Sequence, residues 1–230
     1  MLISVIIPTH NRPEFLAEAT QSVLRQSHQN FELLVVNNGS LPVARSDDRR
    51  VRVLDSKKSG AVPARNLGIS AAKGEAIAWL DDDDVWTDPD FLTTVSQAIS
   101  SGEDFVFGDG TMIYPDARPT KSFAHDADID TLRQNNTILI SAVCYRADLH
   151  QTLGPMDEAL PYYWDWDWYL RVARAGHRLR RIKRPVVNIR IHPENMSGQS
   201  NLQPRQQNLA LLAQKHDLKM LELKSHADFI

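Results

Sequence analysis

Alternating strand and helix signals predict an α/β protein with a mostly parallel sheet. Three observations carry that reading. Short apolar runs at residues 4–7, 32–36 and 75–80 recur along the first half of the chain. Helical patterns separate them. The third run, Ala76, Ile77, Ala78, Trp79 and Leu80, ends directly in four aspartates, Asp81, Asp82, Asp83 and Asp84, and ligands of open α/β sheets bind outside the carboxyl ends of strands.

The elements follow in chain order. The first strand, 4–7, stops at Pro8, which lacks a backbone donor. Pro13 opens a helix with Phe15, Leu16, Ala19, Val23 and Leu24 on one face. The second strand, 32–36, runs into the turn sequence Asn37, Asn38, Gly39, Ser40, and a short third strand is expected at 51–54. A helix over 63–72 stops at Lys73 and Gly74, and the strand at 75–80 feeds the aspartates. Asp88 is expected to cap a helix with Pro89 in its first turn and Phe91, Leu92, Val95 and Ile99 facing inward. Further strands are expected at 104–108, 138–145 and 186–191. Residues 114–130, polar and proline-bearing, read as a mobile loop. A helix over 164–175 ends at Gly176. The tail, 203–223, is a good helix former with Leu209, Leu212, His216 and Met220 at helical spacing, expected to pack on the core or on a second copy as a homodimer. Neither an internal repeat nor a low-complexity tract is present.

Composition excludes several classes. The chain has 230 residues, 42% apolar and 24% charged, with a formal charge of −3. Nothing in that balance suggests a nucleic-acid binder. The single cysteine, Cys144, excludes an internal disulfide and a cysteine-based zinc site, and its apolar surroundings mark it as a core residue. The N-terminus lacks the basic flank of a signal peptide. No apolar stretch reaches the roughly 18 residues needed to span a bilayer, so a cytoplasmic location is expected. The basic run Arg178, Arg180, Arg181, Lys183 and Arg184 reads as a solvated strand face. The alternative is contact with an anionic acceptor or, peripherally, with the inner membrane face.

Four adjacent carboxylates repel one another unless a cation compensates them. Hard divalent ions such as Mn²⁺ or Mg²⁺ take oxygen ligands and share carboxylates with substrate phosphates. The block therefore points to a metal holding a phosphorylated ligand, against the plainer reading of a solvated acidic turn. A second cluster, Trp164, Asp165, Trp166, Asp167, Trp168, holds three of the five tryptophans. It reads either as core packing at the acidic start of a helix, or as an aromatic platform beside a carboxylate made more basic by desolvation. Arg171 lies four residues after Asp167, the spacing of a helical ion pair. His10, after the first strand, reads mainly as a loop residue, with a contact to the donor as the alternative.

Taken together, SVIIPTHNR at 4–12, FELLVVNNGS at 31–40, GAVPARNLG at 60–68, KGE at 73–75, WLDDDDVW at 79–86, GPMDE at 154–158, DWDWYLR at 165–171 and RIHPENMS at 190–197 resemble the ordered motifs of family-2 glycosyltransferases. The resemblance runs from about residue 3 to 198. It implies the GT-A fold, a Rossmann-like mixed sheet flanked by helices, as one domain. Its nucleotide-sugar half would be 1–110, its acceptor and catalytic half 111–200, and its C-terminal helix 201–230. It also implies an inverting transfer from a nucleoside diphosphate sugar, of UDP, dTDP or GDP type, to a hydroxyl of a glycan, polysaccharide or glycoconjugate. By the same resemblance Pro8, Thr9, Asn11, Arg12, Asn37, Asn38, Arg65 and Asn66 line the nucleotide pocket. Asp81 and Asp82 contact ribose and donor sugar, Asp83 with His192 holds Mn²⁺ or Mg²⁺, and Asp165 is the general base. Acceptor contacts are expected from 117–135 and 155–163.

Two departures accompany the match. Asn37 and Asn38 stand where the family has two aspartates. An amide donates as well as accepts, so bases other than uracil and thymine come into play. Trp164 replaces an acid before Asp165. Two other classes compete. A nucleotidyltransferase would need a glycine-rich phosphate loop near the N-terminus, and residues 8–14 contain no glycine. A non-catalytic nucleotide-sugar-binding module would retain the pocket without turnover.

Overall fold

A computed structural model of the chain describes residues 1–116, 118–192, 195–196, 202–219 and 221–224. The element order is β1 (Ile3–Thr9), α1 (Pro13–Leu24), β2 (Phe31–Asn37), β3 (Val51–Asp55), α2 (Ala61–Ala71), β4 (Ala76–Trp79), β5 (Val85–Trp86), α3 (Phe91–Ser100), β6 (Phe105–Ile113), β7 (Lys121–Phe123), α4 (Ile129–Leu132), β8 (Val143–Arg146), α5 (Leu149–Leu153), α6 (Trp164–Arg174), β9 (Leu179–Arg190) and α7 (Leu202–Lys215). Among the described residues the strands form one mixed sheet in the order β3-β2-β1-β4-β8-β6-β9-β5, with β7 paired to β6.

The first four strands are parallel neighbours, as helical crossovers require. The second half departs from the expected mostly parallel arrangement. Strand β8 runs antiparallel to both β4 and β6, whereas β6 and β9 are parallel. The central strands are apolar at nearly every position because both faces are covered. Side chains alternate across the sheet. Ile3, Val5, Ile7, Leu33 and Val35 pack with α1 and α3, and Ile6, Leu34, Val36, Ile77 and Trp79 pack with α2, α6 and α7. The expected inward face of α3 is buried as read, and so is Cys144.

Other expectations need correction. Helix α3 begins at Phe91, and the N-cap position belongs to Asp90, whose side chain makes no capping bond. The Asp88 carboxylate instead accepts from the Asp90 N–H at 2.9 Å and from Arg184 Nε at 2.7 Å. The polar stretch 114–130 is not a continuous loop. Residues 121–123 pair with β6, and Asp128 caps α4 by accepting from the Thr131 N–H at 2.7 Å. The expected strand at 138–145 opens as a 3-10 turn, Ile140–Ala142, before β8. Strand β9 is twice the expected length and takes in most of the basic run. There Arg181 pairs with Asp109 at 2.6 Å and Arg184 with Asp88 at 2.7 Å, so those charges serve the fold. Helix α7 ends at Lys215 and packs Leu209 and Leu212 on the core. Met220, Ala117 and, from the last motif, Pro193, Glu194 and Ser197 lie outside the described residues. No helix among the described residues is long and apolar enough to cross a membrane.

Candidate active site

Strand order places the site. Strands β1 and β4 are adjacent and parallel, so their carboxyl ends deliver Thr9 and the four aspartates to one edge. The antiparallel β8 enters beside β4, with the 3-10 turn at its start, and brings Ser141 to the same edge. Helix α6 begins beside it. A cavity of about 710 Å³ opens there, lined by Asp81, Asp82, Asp83 and Asp84 and by Asp165, among others.

Each aspartate of the block has its own environment. Asp81 pairs with the Arg65 guanidinium, and its backbone N–H donates to Ser141 Oγ at 3.0 Å. Asp82 accepts from Thr9 Oγ1 at 2.7 Å and from the His10 N–H at 3.3 Å. Burial, reinforced by Asp83, pushes its carboxyl up to about 6. Asp83 is also buried, but contacts with His192 Nε2 at 3.0 Å and Arg12 Nη1 at 2.7 Å hold its carboxyl below the ordinary range. Asp84 accepts from Ser141 Oγ at 2.5 Å and from the Arg190 N–H at 3.2 Å. Burial, with Asp83 and Asp81 nearby, raises it well above the usual carboxylate range. Oxygens of Asp81, Asp83 and Asp84 lie within 4.8 Å of one another. A hard divalent cation fits that all-oxygen set, because its charge would offset both the burial and the repulsion that raise Asp84.

Asp165 lies in the first turn of α6, where the helix dipole favours acid. It is 8% exposed. Its Oδ2 accepts from Asn136 Nδ2 at 2.9 Å. Burial lifts its carboxyl to about 6, which the Asn136 bond and the Arg65 charge partly oppose. Asp167 has another fate. Residues two apart on a helix point about 200° away from each other, and Asp167 is fully buried on the far side. It pairs there with Arg171 at the expected spacing (2.9 Å), Lys215 (2.6 Å) and His216 (2.8 Å). The paired aspartates of the sequence thus divide between cavity and scaffold.

The tryptophans divide too. Trp168 is core, stacked on His150 with ring centroids 4.2 Å apart. Trp166 lines the cavity but donates its indole N–H to the Leu132 carbonyl at 2.7 Å. Trp164 carries the Arg65 guanidinium 4.1 Å above its ring. That cation–π contact orients the arginine that pairs with Asp81.

Of the residues expected around a nucleotide, Pro8, Thr9, Asn11, Arg12, Asn38 and Arg65 line this cavity, with His10. Asn11 holds a positive φ of 57° and accepts from the Leu41 N–H at 2.9 Å, tying the two loops together. Asn37 is not among the lining residues. Its amide donates to the Leu41 carbonyl and Asp55, and its carbonyl accepts from the Gly39 N–H. Of the Asn37-Asn38 pair, the structure turns Asn38 to the cavity. Asn66 also lies outside it, bonded to the backbone of Met156 and to Glu158. His192 reaches the site through Asp83, and the convergent acidic set does not include it.

Three cavity features carry no individual role in the sequence reading. Asp84 had a visible signal, being the fourth member of the block. Asn136 had none, since an asparagine in an irregular segment has no pattern. Arg205 and Lys224, from α7 and the segment after it, also line the cavity, with Tyr162 and Tyr163.

Comparison with known proteins agrees with this geometry. The model of glycosyl transferase family 2 matches residues 4–147. An uncharacterized glycosyltransferase of Bacillus subtilis, YwdF, is 34% identical over 99% of this chain and 88% of its own length. The Escherichia coli enzyme WfgD, a UDP-Glc:α-D-GlcNAc-diphosphoundecaprenol β-1,3-glucosyltransferase, is 31% identical over 49% of this chain and 47% of its own. The S. aureus TarS 1–349 structure with UDP-GlcNAc superposes with a TM-score of 0.73 at 17% identity, over 99% of this chain and 69% of that one. A Pyrobaculum calidifontis mannosyltransferase with GDP-Man and Mn²⁺ gives 0.66 at 16% identity, over 93% and 63%. Other relatives match over part of their length, and the alignment with a Streptococcus pneumoniae glycosyltransferase, GlyG, covers 46% of this chain and 38% of that one. The fold is that of the GT-A glycosyltransferases, and the chain belongs to glycosyl transferase family 2.

Proposed function

We propose that this protein transfers a sugar, with inversion, from a nucleoside diphosphate sugar to an acceptor hydroxyl of a glycan, polysaccharide or glycoconjugate. One observation carries the proposal: a buried carboxylate, Asp165, and an acidic strand end, 81–84, face a single cavity. Relatives and neighbours that name UDP-Glc, UDP-GlcNAc and GDP-Man support a nucleotide-sugar donor. In this reading the chain works as one unit. Residues 1–110 receive the donor, and 111–200 supply the base and acceptor contacts.

Pro8, Thr9, Asn11, Arg12, Asn38 and Arg65 receive the nucleotide, while Asn37 and Asn66 shape its loops through their backbone contacts. Asp82, held by Thr9, faces ribose or donor sugar. Asp165 accepts the acceptor proton as that oxygen bonds to the anomeric carbon. The opposite carbon–oxygen bond breaks, and its electron pair leaves with the nucleoside diphosphate. Alignment of the two partners supplies much of the rate. Asp81, Asp83 and Asp84 would hold Mn²⁺ or Mg²⁺, with His192 beside Asp83. When bound, the cation supplies Lewis-acid neutralisation of charge on the diphosphate. The Mn²⁺ of the mannosyltransferase neighbour supports that assignment.

The test is donor hydrolysis across UDP-, dTDP- and GDP-sugars with Mn²⁺ or Mg²⁺. Slow release of nucleoside diphosphate, lost in Asp165→Asn with donor binding retained, is expected. Ligand-induced thermal stabilisation without any release, in the presence of acceptor extracts as well, would favour the binding-module reading.

A further inference from the structure

We infer that Asn136 is a positioning residue for Asp165: its amide holds one carboxylate oxygen and leaves the other to meet the acceptor hydroxyl. The inference rests on the proposed role of Asp165 as general base. Asn136 Nδ2 donates to Asp165 Oδ2 at 2.9 Å, and both residues line the cavity. A carboxylate has two oxygens, and anchoring one stops the group from rotating between poses. Neither residue caps a helix through this bond, and neither belongs to the Asp167 ion-pair cluster.

The donor is itself held in place. Asn136 sits between α4 and the 3-10 turn in a segment pinned by buried Leu132, Ile138 and Leu139. Thr137 Oγ1 donates to the Asp126 carbonyl at 3.3 Å, and the Trp166 indole N–H donates to the Leu132 carbonyl at 2.7 Å. The residue after the base thus anchors the helix that precedes Asn136. This closes a loop of contacts around Asp165 that does not depend on a bound ligand.

The bond has an electrostatic consequence. It favours the ionised carboxylate against burial, so more of the protein carries a competent base near neutral pH. The other groups facing Asp165 are Arg65 from α2, Asp81 after β4, and Tyr163 and Tyr169 at α6. Arg205 approaches from α7 through Tyr163. Arg65 also favours ionisation, whereas Asp81 opposes it. Neither Arg65 nor Asp81 donates a hydrogen bond to the carboxylate among the described contacts; the Trp166 backbone N–H does, and Asn136 supplies the side-chain donor that orients it.

The test compares Asn136→Ala and Asn136→Ser with the parent, using donor hydrolysis across pH and the ¹³C carboxyl titration of Asp165, assigned by its loss in Asp165→Asn. A hydrogen bond to a charged group is worth enough to move a pKa by about one unit. Asn136→Ala should shift the acidic limb of turnover and the carboxyl titration upward together, by about one pH unit. Turnover near pH 6 should then fall about five- to tenfold, with donor affinity unchanged. Asn136→Ser keeps a donor and should recover part of the shift. The titration reads the bond even if one variant folds poorly, because the other supplies the comparison. Unmoved titration and pH profile in folded variants, while Asp165→Asn still abolishes turnover, would overturn the inference alone. Full turnover in Asp165→Asn would overturn the base assignment instead.

Discussion

Replacing Asp165 with Asn is expected to stabilise the protein at alkaline pH while removing its activity. Burial raises the folded-state carboxyl from 3.8 to about 6, a shift of about two units. At roughly 1.4 kcal/mol per unit, the folded state disfavours the ionised group by about 3 kcal/mol. The direction follows from which state holds the proton more tightly. The folded chain binds it better, so this group favours folding below the unfolded value of 3.8, and the advantage is lost as pH rises through about 6. An amide at this position carries no charge and its carbonyl can still accept from Asn136. The variant should exceed the parent at about pH 8 by up to about 3 kcal/mol, with a gap that narrows as pH falls from about 6 to about 4. Urea unfolding at several pH values reads this difference. Nucleoside diphosphate release should fall about 10²- to 10⁴-fold. A variant destabilised equally at all pH values would show that Asp165 is a structural anchor, and the reasoning from its burial would fail.

Three other outcomes are expected. Asp83→Ala and Asp84→Asn should each abolish the part of nucleoside diphosphate affinity that EDTA removes from the parent; calorimetry with UDP and GDP, with and without Mn²⁺, measures it, and an unchanged EDTA effect would exclude the acidic cluster as the cation site. Tyr145→Phe removes the oxygen that accepts from Trp79 Nε1 at 3.0 Å and contacts His150 Nε2 at 2.9 Å. It should destabilise the chain by about 1–3 kcal/mol, because a buried indole N–H loses its partner, and an unchanged urea midpoint would contradict that. Gly74→Ala should destabilise by about 1–3 kcal/mol. A Cβ there would lie 2.5 Å from the Ser4 backbone nitrogen and 2.9 Å from the Ala76 carbonyl oxygen, neither of which can swing aside. A melting temperature equal to that of the parent would argue against so close an approach.

The first half of the fold was legible because its signals are local. Strands β1, β2 and β4 are apolar runs with abrupt ends, α1 has its proline at the start, and α6 stops at Arg174, two residues before Gly176, whose φ is 89°. The short strands β5 and β7 were not legible. Two and three residues carry no period, and these segments are extended only because β9 and β6 supply their partners. The polar stretch around β7 looked like a loop for that reason. Strand β9 was read short because its basic residues face carboxylates on other elements, an arrangement that composition cannot report.

The site divides in the same way. By itself the sequence determined that a strand ends in four carboxylates and that a second acidic pair starts a helix among indoles. Adjacency along the chain is enough for both, since strand and helix geometry carry neighbours to one end. Only the tertiary structure decided that Asp165 faces the cavity while Asp167 is sealed among Arg171, Lys215 and His216. It also turned Asn38 rather than Asn37 toward the cavity, and brought Asn136 to Asp165 across 29 residues of sequence. The physical reason is that hydrogen bonds and desolvation act over a few ångströms in space. Those distances are set by which faces of the helices the sheet buries.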